Sequence, residues 1–217
     1  ALVSCFRREL ADLARALQRQ VYSAGRATDP QARLVKLLVI GSVPAAIGGF
    51  LLDDWLEPYL QGLLPVALFS IGWGGMLGWA DSRARRGSAL EISSLTPLMA
   101  FLIGCAQATA LLPGTSRSGA TIMAALFLGL SRPQAAKFSL LLSIPVVAGA
   151  ALFKGWSIFG AVHHSGHVWR AIAIGIVASA VTGRLCLPRF LAYLEQGDFK
   201  PFVIYRIAFG LLLLSLI

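Results

Sequence analysis

The chain has 217 residues, of which 57% are hydrophobic and 13% charged, and its mean hydropathy is +0.73. Soluble domains carry about 25% charged residues, so this composition excludes an ordinary soluble protein. The net charge of +9 does not indicate a nucleic-acid partner, because the arginines lie mainly beside apolar runs and no nucleic-acid-binding motif accompanies them. We predict an all-α, polytopic membrane helix bundle that forms a single transmembrane domain over residues 1–217.

The first 20 residues predict an amphipathic helix on the membrane surface. Its apolar positions follow helical spacing, at Leu2, Phe6, Leu10, Leu13 and Leu17. Its polar positions are basic, at Arg7, Arg8, Arg15 and Arg19. A basic face opposite an apolar face is typical of helices that lie in the bilayer interface.

Apolar runs of membrane type follow, at roughly 34–52, 62–80, 95–112, 119–130, 137–153, 169–187 and 201–217. The run at 119–130 is too short for a comfortable crossing, because a spanning helix needs about 20 residues. It is separated from the run at 95–112 by a polar segment. We therefore predict a re-entrant hairpin over 95–130 rather than two full spans.

Basic residues set the predicted orientation through the positive-inside rule. The cytoplasmic side is indicated for residues 1–33, for the cluster of Arg83, Arg85 and Arg86, and for Arg132 and Lys137. The acidic group of Asp53, Asp54 and Glu57 fits the outside. The remaining acids after residue 58 are predicted to lie in connections, at Asp81, Glu91, Glu195 and Asp198.

Two segments of the chain match each other without a gap. Residues 36–52 and 137–153 share a Ser-Val/Ile-Pro core, with a lysine before it and a glycine after it. A structural repeat is the favoured interpretation, since functional sites of repeated membrane bundles often lie at the repeat interface. The sequence leaves open whether the two copies run in the same or in opposite directions.

The polar segment between the arms of the predicted hairpin is Pro-Gly-Thr-Ser-Arg-Ser-Gly, residues 113–119. Glycines allow close backbone approach, successive N–H groups at a helix start hold anionic oxygens, and arginine matches a phosphate group. An alternative is that Ser116 or Ser118 only caps a helix and Arg117 reaches to the interface. We favour phosphate binding, because an ionisable residue inside a membrane segment indicates function.

The same segment carries a resemblance to the bacterial undecaprenyl pyrophosphate phosphatase family. The resemblance includes Ile103-Gly104-Cys105-Ala106-Gln107, Leu112, residues 113–121, Ser131-Arg132, Phe138-Ser139, Ile144-Pro145 and the run from Pro201 to Arg206. It implies two re-entrant hairpins in a bacterial inner-membrane protein, with the active site toward the periplasm. It also implies hydrolysis of the lipid pyrophosphate to the monophosphate carrier used in cell-wall synthesis.

The resemblance assigns roles to the residues of this segment. Arg117 and Ser116 are the predicted catalytic residues. The predicted substrate-binding residues are Gly114, Thr115, Ser118, Gly119 and Thr121. Arg206, about 9 Å into the last apolar run, is interpreted as structural rather than as a phosphate ligand. The predicted partners are the polyprenyl pyrophosphate and the bilayer, and a homo-oligomer is possible.

A second signature of the family is absent from these residues: a Glu-rich stretch followed by Pro-Val-Ser-Ser-Thr-Gly-His. In the family it is thought to supply carboxylates for a divalent cation, Mg²⁺ or Ca²⁺. We therefore expect no metal ligand within residues 1–217, ligands upstream of Ala1, and no activity from this chain alone.

Two other functions were weighed against this interpretation. A membrane acid phosphatase needs a histidine six residues after its Ser-Arg pair, and Ile122 and Met123 occupy that stretch. A transporter or flippase for an anionic lipid would also suit a repeated bundle with a polar loop. Release of phosphate distinguishes the hydrolase from the transporter.

Overall fold

The computed structural model describes residues 2–22, 29–60, 62–84, 90–161 and 166–217. Within these residues all the long elements are helices, as predicted. They are α1 (Leu2–Cys5), α2 (Arg7–Tyr22), α3 (Pro30–Leu60), α4 (Leu63–Ala84), α5 (Pro97–Ala108), α6 (Arg117–Phe127), α7 (Arg132–Ala161), α8 (Gly166–Gln196) and α9 (Lys200–Leu214). Short 3₁₀ turns occupy Ile92–Ser94 and Thr109–Leu111.

Four of the described helices are long and apolar enough to cross a membrane. The qualifying segments are Pro30–Leu51, Leu63–Ala84, Arg132–Leu152 and Val168–Gln196. The last predicted run forms α9, whose 15 residues extend about 22 Å, less than the roughly 30 Å of a bilayer core. The prediction of a multi-pass, all-α membrane bundle is confirmed.

The amphipathic N-terminal segment forms two helices, α1 and α2, with a turn at Phe6 between them. Phe6, Leu13 and Ala16 are buried against the bundle. Glu9 of α2 also lies 3.7 Å from the ammonium group of Lys137 in α7. The apolar stripe therefore packs on protein in part, and its placement at the membrane surface stays a prediction.

One end of the bundle is held together by charged side chains and is called here the polar end. Arg33, at the start of α3, donates to the carbonyls of Ser93 and Leu95 at 2.5 and 2.6 Å. Arg132, the first residue of α7, forms an ion pair with Asp81 near the end of α4, with an N–O distance of 2.5 Å. The start of α3, the end of α4 and the start of α7 therefore lie at the same end.

The helix–loop–helix of α5 and α6 begins and ends at the polar end. Leu90, before α5, pairs with the backbone of Gly129 and Ser131 after α6. The tip of this hairpin lies far from that pairing, since Gly114 contacts Val66 in α4. Val66 is 18 residues, or about 27 Å of helix, from Ala84 at the polar end. The hairpin thus returns to the end where it began.

The packing between helices depends on small residues. A Cβ at Gly104 of α5 would collide with the carbonyl of Gly41 in α3, and Gly74 and Gly78 of α4 lie against Arg206 and Val203 of α9. Small residues at helix contacts are typical of membrane bundles, because they let backbones approach closely. The α5 arm of the hairpin and α9 are therefore positioned by close packing at small residues.

The two matching segments lie in α3 and α7, which both start at the polar end and contact each other. Gly41 packs against Leu142, and these positions are equivalent at the offset of 101 between the two segments. The copies therefore run in the same direction, which the sequence alone left open.

One prediction about the acids was wrong. Asp81 lies inside α4 rather than in a connection, is 2% exposed and is paired with Arg132. Glu195 is likewise helical, near the end of α8. The pattern misled because a carboxylate followed by Ser and Arg is typical of a solvated turn. Arg85 and Arg86, and the side chains of the acidic group at 53–57, lie outside what the structure describes.

Candidate phosphate-binding site

The loop before α6 takes its shape from Gly114. This residue has a φ of +84°, in the left-handed region that glycine adopts without strain. Its α-carbon also faces Val66 so closely that a Cβ would collide with the Val66 carbonyl. Both the backbone conformation and the space therefore require glycine here, and the loop is held against α4.

Ser116 caps the N-terminus of α6. Its side-chain oxygen accepts a hydrogen bond from the N–H of Gly119 at 3.1 Å. The N–H groups of Arg117 and Ser118, the first two helical residues, have no acceptor within the helix. The positive end of the helix dipole adds to them, so this terminus is suited to bind an anion. The capping role and the phosphate-binding role are therefore compatible.

The polar side chains of this terminus face outward. Arg117 and Ser118 are exposed, and the hydroxyls of Ser116 and Ser118 are 3.4 Å apart. The Arg117 guanidinium forms no hydrogen bond or ion pair with the described part of the chain. It is a permanently charged group that is free to bind a phosphate.

Arg206 reaches the loop from α9. Its Nη2 donates to the carbonyl of Gly114 at 2.5 Å, and its own carbonyl accepts from the hydroxyl of Ser70 at 3.1 Å. The interpretation of Arg206 as structural agrees with this brace. The guanidinium also borders the cavity beside Ser116 and Ser118, which the position of Arg206 in the sequence could not show.

A cavity of about 630 Å³ opens beside the N-terminus of α6. On the side of α6 it is lined by Ser116, Ser118 and Gly119, and further polar lining comes from Arg206 and Arg189. Much of its wall is apolar and aromatic, including Phe190, Phe199 and Phe202, which pack edge-to-face or tilted against one another. Phosphate-binding groups therefore lie next to an apolar surface, an arrangement suited to an amphiphile.

Two predicted substrate-binding residues face the protein instead. Thr121 is 1% exposed, and its hydroxyl lies within 3.1 Å of the carbonyls of Arg117 and Ser118 and 2.6 Å from the hydroxyl of Ser139. The hydroxyl of Thr115 is buried and has no hydrogen-bond partner among the residues that the structure describes. Neither residue lines the cavity. Thr121 therefore bonds within the protein, and its role in substrate binding stays a prediction.

Sequence reasoning missed other polar residues near the hairpin. Ser139 is one of the residues that carry the resemblance, but the resemblance assigns no role to it. Gln107 in α5 is 2% exposed, and neither its amide nitrogen nor its amide oxygen has a partner in the described part of the chain. Among the described residues, no group of three or more His, Cys, Asp or Glu side chains is arranged to hold a metal ion.

Comparison with known proteins gives a consistent result. The family model for bacitracin resistance protein BacA matches residues 1–212. An undecaprenyl-diphosphatase of Hahella chejuensis is 42% identical over 210 residues, which cover 97% of this chain and 76% of that protein. One from Chromohalobacter salexigens is 42% identical over 214 residues, covering 99% and 78%. Undecaprenyl-diphosphatase 2 of Stutzerimonas stutzeri is 41% identical over 218 residues, covering 100% and 79%. The chain therefore belongs to the bacitracin resistance protein BacA family.

Proposed function

We propose that this protein is an undecaprenyl-diphosphatase, which hydrolyses undecaprenyl pyrophosphate to undecaprenyl phosphate and inorganic phosphate. Family membership and relatives of that name, at about 42% identity over nearly the whole chain, support the assignment. The observation in the fold that supports it best is the N-terminus of α6. There Ser116 and Ser118 line a largely apolar cavity, and Arg117 is exposed in the same turn.

The reaction adds water across the phosphoanhydride. The bond between the terminal phosphorus and the bridging oxygen breaks, and that oxygen leaves with the lipid monophosphate. Negative charge grows on it and on the terminal phosphoryl oxygens. Arg117 and the free N–H groups at the start of α6 are placed to stabilise this charge, which is the main task in phosphoryl transfer. Ser116, next to Arg117 at the start of α6, is the second residue that we propose takes part in catalysis, through its hydroxyl group.

The remaining predicted residues have positioning roles in this proposal. Gly114 turns the loop, Gly119 leaves room for the cap of Ser116, and Ser118 adds a second hydroxyl at the cavity edge. Arg206 holds the Gly114 carbonyl and so limits movement of the loop. A loop fixed before substrate arrives stabilises the transition state without reorganising, which increases its effect on the rate.

The orientation and the cation are also proposals. The polar end carries Arg33, Arg83 and Arg132, and the positive-inside rule favours the cytoplasm for it. The loop tip lies toward the other end of α4, which supports a periplasmic site in a bacterial inner membrane. The described residues do not form a cluster suited to a divalent cation. We propose that carboxylates outside these residues hold one.

Phosphate release tests the function directly. We expect purified protein that includes the proposed carboxylate ligands to release one inorganic phosphate per undecaprenyl pyrophosphate in detergent. It should lose this activity in EDTA and regain it with Mg²⁺ or Ca²⁺. A transporter would move the lipid between the leaflets of a vesicle without producing phosphate. Lipid movement without phosphate release would contradict the proposed function. Phosphate release that EDTA does not affect would contradict only the proposed requirement for a cation.

A further inference from the structure

Two buried hydroxyl groups connect α6 to α7. Thr121 and Ser139 are 1% and 2% exposed, and their side-chain oxygens are 2.6 Å apart. The Thr121 oxygen also lies 3.0 Å from the carbonyl oxygen of Arg117 and 3.1 Å from that of Ser118. This bridge therefore joins α7 to the first turn of α6, which carries the exposed arginine.

The number of hydroxyl protons decides which of the two residues is the hydrogen-bond donor. Thr121 has one hydroxyl proton, and it donates that proton to the carbonyls one turn earlier, as threonine does in helices. Its oxygen can then only accept from Ser139. The Ser139 hydroxyl is therefore the donor across the two helices, and the carbonyls of Arg117 and Ser118 are fixed through Thr121.

Two other serines, one in α7 and one in α3, donate only within their own helices. Ser143, one turn further along α7, donates to the carbonyl of Leu140 in its own helix at 2.7 Å. Ser42, the equivalent residue in α3, likewise donates to Leu38 at 2.7 Å. These are local bonds that leave the neighbouring helix unaffected. Ser143 is therefore a matched control for Ser139.

We propose that Ser139 is a positioning residue for the phosphatase reaction. Through Thr121 it holds the first turn of α6 and so sets the direction of the Arg117 side chain. The first turn of a helix lacks part of its backbone hydrogen bonding and is the part most easily displaced. A hydrogen bond in a dry interior resists that displacement more strongly than one in water. This inference rests on the proposed function, because it assigns Ser139 to the geometry of that site.

The kinetic test uses variants with and without the hydroxyls. A small displacement of a catalytic group can cost about a hundredfold in rate, so we expect kcat to fall about tenfold in Ser139→Ala and somewhat more in Thr121→Val. Thr121→Ser keeps the hydroxyl and should stay within about threefold of the original kcat, as should Ser143→Ala. The double variant Ser139→Ala/Thr121→Val should lose no more than Thr121→Val alone, because both changes break one bridge.

Hydrogen–deuterium exchange gives a second readout that does not need catalysis. The amide of Ala120 bonds to the carbonyl of Ser116, and that of Thr121 bonds within the first turn of α6. We expect both amides to exchange faster in Ser139→Ala than in Ser143→Ala. Equal exchange and equal kcat in the two variants would overturn the proposal, as would losses that add in the double variant. Absence of phosphate release from the unmodified protein would refute the proposed function instead, while the exchange experiment would still test the bridge.

Discussion

The two ends of the hairpin formed by α5 and α6 differ in whether their arginine side chains are bound by other groups of the protein. At the polar end, Arg33 is held by two carbonyls and Arg132 by a buried carboxylate. At the loop, the Arg117 guanidinium has no partner among the described residues and is exposed. The polar end thus uses its arginines to fix the fold. The loop has one arginine, Arg206, that braces the backbone of Gly114, and a second, Arg117, that we propose binds a ligand.

The contrast extends to the backbone. At the polar end, Leu90 pairs with the residues after α6 through the N–H and carbonyl groups on both sides. At the loop, the first N–H groups of α6 have no helical acceptor, and only that of Gly119 is satisfied, by the cap of Ser116. The backbone pairing at the polar end makes the hairpin rigid. This rigidity holds the unpaired N–H donors of α6 in a fixed position at the loop. Substitutions at the loop should therefore lower activity, and substitutions at the polar end should lower stability.

The largest expected effect is on activity, at Arg117. Arg117→Ala should reduce kcat about a thousandfold, since it removes a permanent charge aimed at the phosphate. Arg117→Lys should recover little, because an ammonium group cannot make the two parallel bonds of a guanidinium. The melting midpoint in detergent should stay unchanged, because the side chain is exposed and forms no hydrogen bond or ion pair with the described residues. A variant that melts early, or that keeps normal kinetics, would contradict the assignment of this end to ligand binding.

The next effect is on stability, at the polar end. Arg132→Ala leaves the Asp81 carboxylate buried without its arginine partner, and we expect a loss of about 3 kcal/mol in the free energy of unfolding. The double variant Asp81→Asn/Arg132→Gln should recover part of the loss, because it removes both charges. Denaturation in detergent measures the change, with phosphate release scaled to the folded fraction. If scaled kcat fell as it does in Arg117→Ala, the separation between the ends would be wrong.

A smaller effect is expected in the arm that joins the ends. Gly104→Ala places a methyl group against the Gly41 carbonyl and should destabilise the packing of α5 on α3 by about 2 kcal/mol. Gly72→Ala is the control, because nothing lies within 4 Å of that position. It should be neutral or stabilising by about 0.5 kcal/mol, through the higher helix propensity of alanine. Equal melting midpoints for the two variants would show that the close approach is dispensable.

The membrane class and the phosphate-binding segment could be predicted from the sequence, since both depend on local properties. Long apolar runs have few stable arrangements other than membrane helices. Glycines, hydroxyls and an arginine within seven residues indicate anion binding wherever the chain places them. The cap of Ser116 and the left-handed turn at Gly114 are equally local, and both lie within the predicted loop.

Only the tertiary structure decided which distant residues support that loop. Arg206 is 92 positions from Gly114, and Ser139 is 18 from Thr121, so no local pattern relates them. Asp81 was placed wrongly because its arginine partner follows 51 residues later, and without that partner a carboxylate suggests a solvated connection. These contacts depend on how closely the helices approach, which small residues such as Gly74 and Gly104 allow. Composition and spacing determined the membrane helices and the position of the loop that we propose binds an anion. Helix packing determined which hydroxyls face the cavity and which are buried between helices.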